Sequence, residues 1–335
     1  MQGYAPMCGE SGTSGEKCLK WDDRFKQSLW RRAAWHDANA LDTPFYKTNL
    51  GALHRDDAVD WLRSLSPESV DLAVVDPPYG GNSVHWDRFG SLDEYVEWCG
   101  EWMKELSRVL KGHGSAFICG WSENLAYLKV VGDRHFDHCR WLIWHYRNKH
   151  APWKTDWGRA HESVLHFRRS KSFRFNQDAV RVPYNAHTMR YPTHKQGHSS
   201  ALGSRAQKER PHVWEPHPGG AKPKDVFEIS VLNNGMEEST PHPTQKPEEL
   251  IRRFVLACSN KGDLVIDPFG GSGTTFVVAE KLERRWLGTE IEEEYLHYAV
   301  ERLKQCEADE SGAIANFEAT AAASAKNQAL VRHGK

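Results

Sequence analysis

Apolar and polar positions along the chain fall into two blocks of alternating strand-like and helix-like pattern, separated by a long stretch that has neither. In the first block, residues 57–65 are apolar at helical spacing, Ser66-Pro67-Glu68 is a turn, and Val70-Asp71-Leu72-Ala73-Val74-Val75 reads as a short buried strand that stops at Asp76. Residues 92–110 give a long amphipathic helix, Lys111-Gly112-His113-Gly114 a break, and Ser115-Ala116-Phe117-Ile118-Cys119 a second strand, with 141–146 and 163–167 as further strand candidates. The second block opens at Pro247, a proline suited to the first turn of a helix over 248–259. A strand over 263–266, a glycine-rich loop over 267–275, a helix over 276–284 and a strand over 286–291 follow. Such alternation predicts an α/β fold with a mostly parallel, twisted sheet and helices on both faces.

The rest of the chain divides around these blocks. Residues 1–44 form a peripheral N-terminal segment, a Gly/Ser tract followed by a helix over 21–40, and residues 45–169 hold the first half of the core. Residues 170–234, rich in Pro, Gly, His and Arg, suit an irregular recognition region. The second half of the core spans 235–305, and 306–335 is a flexible tail.

Charge sharpens this division. The net charge is only -1, yet residues 147–224 carry 16 Lys and Arg against 5 Asp and Glu, so the remainder is acidic. A basic segment on an acidic protein suggests a polyanionic partner, because phosphate neutralisation dominates nucleic-acid affinity. Arg168, Arg169, Lys171 and Arg174 are the candidate DNA-contacting residues within it. The seven cysteines include no pair at metal-ligand spacing, which predicts reduced thiols and no metal. No stretch suits a membrane span or a signal peptide, so a cytoplasmic location is expected.

Asp267-Pro268-Phe269-Gly270-Gly271-Ser272-Gly273-Thr274-Thr275 lies between a strand and a helix, and Glu290 ends the next strand, 19 residues past Gly271. Glycines let backbone approach a ligand, and an acid about 20 residues on can accept from ribose hydroxyls. No Walker lysine follows the loop, and Asp267 sets negative charge where a diphosphate would otherwise lie. A cationic nucleoside such as S-adenosylmethionine fits better. Asp76-Pro77-Pro78-Tyr79 directly follows a buried strand, at the carboxyl edge where open α/β sheets bind ligands. Alone, Pro-Pro commonly marks a turn. Here it removes two donors and leaves carbonyls free. The Asp76 carboxylate and Pro77 carbonyl could then accept both hydrogens of an exocyclic base amine, making its nitrogen a better nucleophile. Tyr79 offers a stacking face for a flipped base.

In this order, with Asp-Pro-Pro-Tyr ahead of the glycine-rich loop, the motifs resemble those of the beta class of DNA amino-methyltransferases over about residues 49–303. The resemblance implies a Rossmann-like methyltransferase fold with permuted motif order, a target-recognition region between the halves, S-adenosylmethionine as methyl donor and double-stranded DNA as substrate. It implies that His242, Thr244, Gln245 and Lys246 of His242-Pro243-Thr244-Gln245-Lys246-Pro247 contact the donor's methionine moiety. Asp57 and Ala58 would lie by its adenine, Glu290 on its ribose, and Asp267, Pro268, Phe269, Gly271, Ser272, Gly273 and Thr274 around it. Arg159-Ala160-His161-Glu162 resembles a recurrent family element with a structural role. Two positions depart from the family: Asp56 replaces a usual glycine, so either Asp56 or Asp57 could meet the adenine, and Glu292 stands where Asp is frequent.

Within this class, Asp at the first motif position goes mostly with N6-adenine targets and Ser with N4-cytosine. Asp76 therefore favours adenine, with cytosine N4 as the alternative. Cytosine C5 methylation uses a cysteine nucleophile after proline, and no cysteine here follows a proline. Methylation of RNA or of a protein amide goes with Asn in place of this Asp, and a DNA-binding protein that has lost catalysis would not be expected to keep both motifs. Relatives are often dimers, making a homodimer one expected assembly and a cognate restriction endonuclease one expected partner.

Overall fold

In a computed structural model, the described residues are 43–81, 84–148, 155, 157–191, 194–195, 213–233 and 235–308. The expected helix over 21–40 and the tail from 309 lie outside them. Strands are β1 (Tyr46–Lys47), β2 (Gly51–His54), β3 (Val70–Val75), β4 (Leu110–Gly120), β5 (His138–His145), β6 (His161–Arg168), β7 (His194–Lys195), β8 (Val213–Trp214), β9 (Val226–Glu228), β10 (Leu264–Asp267) and β11 (Arg285–Thr289). Helices are α1 (Ala58–Ser64), α2 (Leu92–Val109), α3 (Ser122–Gly132), α4 (Ala186–Arg190), α5 (Glu248–Cys258), α6 (Thr274–Lys281) and α7 (Glu293–Ala308). Nine strands form one sheet in the order β1-β2-β11-β10-β3-β4-β6-β5-β9, and β7 pairs with β8 apart from it. Among the described residues no helix is long and apolar enough to cross a membrane.

The central strands β2, β11, β10, β3 and β4 run parallel, while β6 is antiparallel to both β4 and β5. The fold is thus the expected mostly parallel α/β sheet, with an antiparallel turn on one side. Strand β9, from within the segment 170–234, adds to β5 in parallel.

Strand β3 is buried at every residue, so both of its faces must be covered. Leu72 and Val74 pack with α5 and α6 residues such as Phe254 and Phe276. Ala73 and Val75 pack instead with Trp61 of α1 and Trp102 and Leu106 of α2. Val70 joins this second cluster although it shares parity with Leu72; it pairs with Leu110 of the same cluster, where α2 runs directly into β4. Helix α2 starts where the Ser91 side chain accepts the Glu94 N–H at 3.1 Å and Glu94 reaches back to Gly90 N–H at 3.0 Å. Its buried stripe of Tyr95, Cys99, Trp102, Met103 and Leu106 has helical spacing.

The structure differs from the sequence pattern at several points. Lys111 to Gly114 does not break the chain; β4 runs unbroken through it, since Lys111 and His113 turn onto the buried Asp71 beside them. The short β2, α3 and β9 have no counterpart in the apolar pattern, and α7 continues past Cys306 to Ala308.

Asp71 is 2% exposed and gathers Lys111 Nζ at 2.8 Å, His113 Nε2 at 2.9 Å, the Leu264 N–H at 3.0 Å and Arg174 Nη1 at 3.6 Å. Burial alone would raise its pKa, but the bonds from Lys111, Leu264 and His113 outweigh it and hold the carboxyl below its ordinary value. Replacing Asp71 by Ala strands these donors, and we expect a loss of about 3 kcal/mol in denaturant unfolding at neutral pH. A depressed folded pKa means this contribution is complete above the unfolded value and fades as pH falls below about 4 through the folded one. The difference between wild type and D71A should therefore shrink in acid, which unfolding curves at neutral and acidic pH would show.

Candidate active site

Strands β3 and β10 pair in parallel, with Val265 opposite Leu72 and Ile266 opposite Ala73. Both therefore end at the same edge, so Asp76-Pro77-Pro78-Tyr79 and the loop from Asp267 emerge side by side.

At the first of these ends, Asp76 is held from two directions. The Tyr79 hydroxyl donates to its Oδ1 at 2.6 Å, and Lys246 Nζ donates to its Oδ2 at 2.6 Å. Burial and the neighbouring Asp76 charge both push the Tyr79 pKa well up, so the phenol stays protonated and remains a donor. Its ring meets Trp121 edge to face at a centroid distance of 5.6 Å, with Lys246 Nζ 5.3 Å from its own centroid. The turn behind the motif is pinned by acceptors: Pro78 O takes the Tyr95 hydroxyl at 3.1 Å, and Tyr79 O takes Asn124 Nδ2 at 2.6 Å. Asp87 Oδ1 and Oδ2 accept the N–H groups of Gly80 and Gly81 at 2.6 and 2.9 Å. Gly80 has φ +70°, and a Cβ on Gly81 would lie 2.2 Å from the Trp121 ring. Among the described residues, no hydrogen bond reaches Pro77 O.

At the second end, Asp267 is buried and bonded within its own loop, Oδ1 accepting the Phe269 N–H at 3.0 Å and Oδ2 the Thr275 hydroxyl at 2.6 Å. Burial raises its pKa well above the ordinary carboxyl value. The Phe269 ring packs edge to face on Trp98 and Trp102 of α2, anchoring the loop, and Pro268 is buried beside it. Gly271 and Gly273 take φ +50° and +77°. Glu290 reaches back from the end of β11 to accept the Gly271 N–H on Oε2 at 2.7 Å, and the Ile291 and Glu292 N–H groups on Oε1 at 2.8 and 2.9 Å. Burial raises the Glu290 pKa against the pull of those three donors. A carboxylate has about four acceptor sites, so three donors leave capacity for another hydroxyl.

The remaining expected donor contacts are spread around this loop. Asp57 caps α1, its Oδ1 accepting the Val59 N–H at 2.9 Å and the Asp60 N–H at 3.3 Å, ahead of buried Ala58. Asp56 Oδ1 takes the Asp57 N–H at 2.8 Å. Its carbonyl accepts the Thr289 hydroxyl at 3.0 Å, which ties this turn to the residue before Glu290. The His242 ring packs on Tyr295 at 4.3 Å and would lie 3.2 Å, through Nε2, from a Cβ on Gly271. Burial lowers the His242 pKa to about 4, so the imidazole is neutral at neutral pH. Its Nδ1 accepts the Thr244 N–H at 3.3 Å, which assigns the proton to Nε2. Gln245 serves its own loop, bonding Thr240 through Oε1 and the Glu238 carbonyl through Nε2.

Lys246 joins the two halves. Its carbonyl accepts the Thr274 hydroxyl at 3.1 Å, at the start of α6, while its ammonium lies on Asp76 and 3.8 Å from Glu162 Oε2. Arg302 Nη1 ties the same corner together through Ser272 O at 3.0 Å and Thr274 Oγ1 at 2.9 Å. Burial would lower the Lys246 pKa, but Asp76 and Glu162 outweigh it and hold the ammonium protonated above its ordinary value. This reach across to Asp76 is not what the sequence led us to expect of Lys246, and Glu162 was read as structural. A carboxylate at the second position of the apolar strand β6 was the available signal for Glu162; Asn124, Trp121 and Asp87 carried none.

Arg168, Arg169, Lys171 and Arg174 are not brought to this edge. Arg168 pairs with Ser115, whereas Gly120 at the Asp76 end of β4 pairs with Ser163, so five residues of strand, about 17 Å, intervene. Arg168 stacks on Phe173 at 4.0 Å, and Arg174 is engaged with Asp263 and Asp71.

Fold and site together define an α/β protein that presents an Asp-Pro-Pro-Tyr turn beside a glycine-rich loop at one sheet edge. Residues 70–301 match the family model of the N6/N4 DNA methylases. The Type II methyltransferase M1.MboII of Moraxella bovis is 33% identical over 264 residues, which cover 77% of this chain and 98% of that protein. The DNA adenine methyltransferase YhdJ of Escherichia coli strain K12 is 32% identical over 250 residues, covering 74% and 80%. Among solved structures, the cytosine-N4-specific PvuII DNA methyltransferase superposes with a TM-score of 0.59 over 77% of this chain and 88% of its own, at 22% identity, a likeness of fold. The chain belongs to the N6-adenine/N4-cytosine family of DNA methyltransferases.

The loop conformation yields a test. A Cβ on Gly273 would sit 2.6 Å from Ala299 Cβ, and the positive φ adds strain. Strain of about 1 kcal/mol and overpacking of about 1–3 kcal/mol predict that Gly273→Ala destabilises the protein by roughly 3 kcal/mol. Denaturant unfolding of the purified variant checks this.

Proposed function

We propose that the protein methylates the N6 amine of adenine in double-stranded DNA, using S-adenosylmethionine as donor. The observation that carries this reading is the parallel β3–β10 pair, which sets Asp76 and the Asp267–Thr275 loop at one edge. The residues present suit such a donor. Glu290 keeps acceptor capacity for ribose hydroxyls, Gly271 leaves its backbone bare beside His242, and the 54–57 turn lies against the end of β11 where an adenine would rest. Asp267, engaged by its own loop, acts chiefly by shaping that loop. When bound, the donor supplies an electrophilic methyl group on a sulfonium.

The acceptor half then follows from the chain's own groups. The Asp76 carboxylate and the Pro77 carbonyl take the two amine hydrogens of a flipped-out base, drawing the nitrogen lone pair out of ring conjugation. With the donor's methyl on the nitrogen, the amine would carry a surplus proton, which Asp76 would take up and pass to solvent. Tyr79 fixes the carboxylate through its hydroxyl, and its ring and Trp121 give the pocket an aromatic wall. Adenine is favoured by Asp at the first motif position and by the likeness to an adenine methyltransferase. Type II relatives support a place beside a restriction endonuclease of the same recognition sequence.

Incubation with tritiated S-adenosylmethionine and unmethylated mixed-sequence duplex DNA, followed by digestion to nucleosides, should yield labelled N6-methyl-2'-deoxyadenosine. Label in N4-methyl-2'-deoxycytidine would instead assign the alternative base, and label in neither would remove the reading. Because the duplex is proposed to lie over the Asp76 edge, neutralising Arg168, Arg169, Lys171 and Arg174 together should leave the salt dependence of DNA binding unchanged. A shallower slope, by about one unit per lost phosphate contact, would place the duplex on the opposite edge as well.

A further inference from the structure

Asp76 as described has both carboxylate oxygens engaged, Oδ1 by Tyr79 and Oδ2 by Lys246. An incoming base amine must share or replace one of these donors. Tyr79 is three residues along the same turn and has its backbone pinned by Asn124, so its hydroxyl has little room to leave. Lys246 has a long unbranched side chain and a second carboxylate within reach.

That second carboxylate is Glu162. It comes from the start of β6, which is antiparallel to β4 and so delivers its first residues to the edge where β3 ends. Its side chain is 12% exposed, and its Oε2 is buried with no hydrogen-bond partner among the described residues, 3.8 Å from Lys246 Nζ. A buried carboxylate oxygen without a donor is costly. One ammonium thus stands between two half-buried acids, bonded to one and just short of the other. A shift of about 1 Å would bring Nζ into hydrogen-bond range of Glu162.

From this the geometry points to Lys246 as a movable partner of Asp76 that passes to Glu162 when the target amine arrives, with Glu162 as a positioning residue for methyl transfer. This inference rests on the proposed role of Asp76 as amine acceptor. Before the base enters, Lys246 compensates the half-buried Asp76 charge. As the amine donates to Oδ2, the ammonium moves onto Glu162, its unmet acceptor, and Asp76 turns wholly to the substrate. No covalent bond is made or broken and no proton changes hands in the shift. Glu162 acts through Lys246 alone, so it should affect the rate of transfer rather than binding of the donor.

The test compares Glu162→Gln, Glu162→Asp, Lys246→Met/Glu162→Gln and Asp76→Ala with wild type. Single-turnover transfer from tritiated S-adenosylmethionine to unmethylated phage DNA is measured, with donor affinity read from tryptophan fluorescence. An amide cannot neutralise the ammonium, so in E162Q Lys246 should stay on Asp76. The transfer constant should fall by about tenfold or more while donor affinity and the DNA concentration at half-saturation change less than about twofold. E162D should recover part of the loss. The double variant should be faster than E162Q, because removing Lys246 frees the acceptor that E162Q leaves blocked. Wild-type transfer in E162Q, or a double variant no faster than the single, would overturn the inference. So would a loss of donor binding that accounts for the fall in rate. D76A separates the levels: loss of transfer there together with normal transfer in E162Q rejects only the Lys246 shift, whereas retained transfer in D76A rejects the acceptor role itself.

Discussion

The site depends first on one backbone pairing, that of β10 with β3. Their residues are nearly two hundred positions apart, yet the register Val265–Leu72 and Ile266–Ala73 makes the two strands run in the same direction and stop at the same edge. A parallel pair needs a crossover, and here the crossover is the whole intervening chain, including the antiparallel β5–β6 turn and the segment that supplies β9. Asp71, buried at the opposite end of β3, takes the Leu264 N–H at the start of β10 and so locks that register from below. A slip of one residue would turn the Val70–Val75 side chains onto the wrong faces.

Charge burial is the second constraint. Asp76, Glu162, Asp267 and Glu290 are crowded at one sheet edge, and each is compensated differently. Asp267 and Glu290 are held by backbone and hydroxyl donors of the glycine loop, which gives that loop its shape. Asp76 and Glu162 share the single ammonium of Lys246, whose carbonyl meanwhile receives Thr274 at the start of α6. The Asp76 turn and the glycine loop are therefore connected through one residue, and a change in where its ammonium rests is felt at Asp76.

Much of this was legible in the sequence because it is local. Six consecutive buried residues announced β3, and the strand, glycine loop, helix and acid pattern announced the unit ending at Glu290. What was not legible depended on partners distant in the chain. β2 is the four residues Gly-Ala-Leu-His, ordered by pairing with β11 rather than by any apolar pattern. α3 begins at Trp121 without a side-chain cap and is apolar on more than one face, so it carries neither a start signal nor a clear stripe. The Lys246–Asp76 bond joins residues 170 positions apart. The four basic residues grouped by charge around 168–174 were separated from the site by strand direction, since antiparallel β6 carries its carboxyl end to the opposite edge. Composition finds such residues but not the edge they reach.

The central claim is that the Asp76 turn and the glycine loop are two halves of one donor–acceptor site. A structure of the protein bound to S-adenosylhomocysteine tests it most directly. Ribose hydroxyls are expected on Glu290, the nucleoside along Gly271 and the 54–57 turn, and the thioether sulfur facing the pocket beside Asp76. A nucleoside bound away from Glu290, or a sulfur turned away from Asp76, would contradict it.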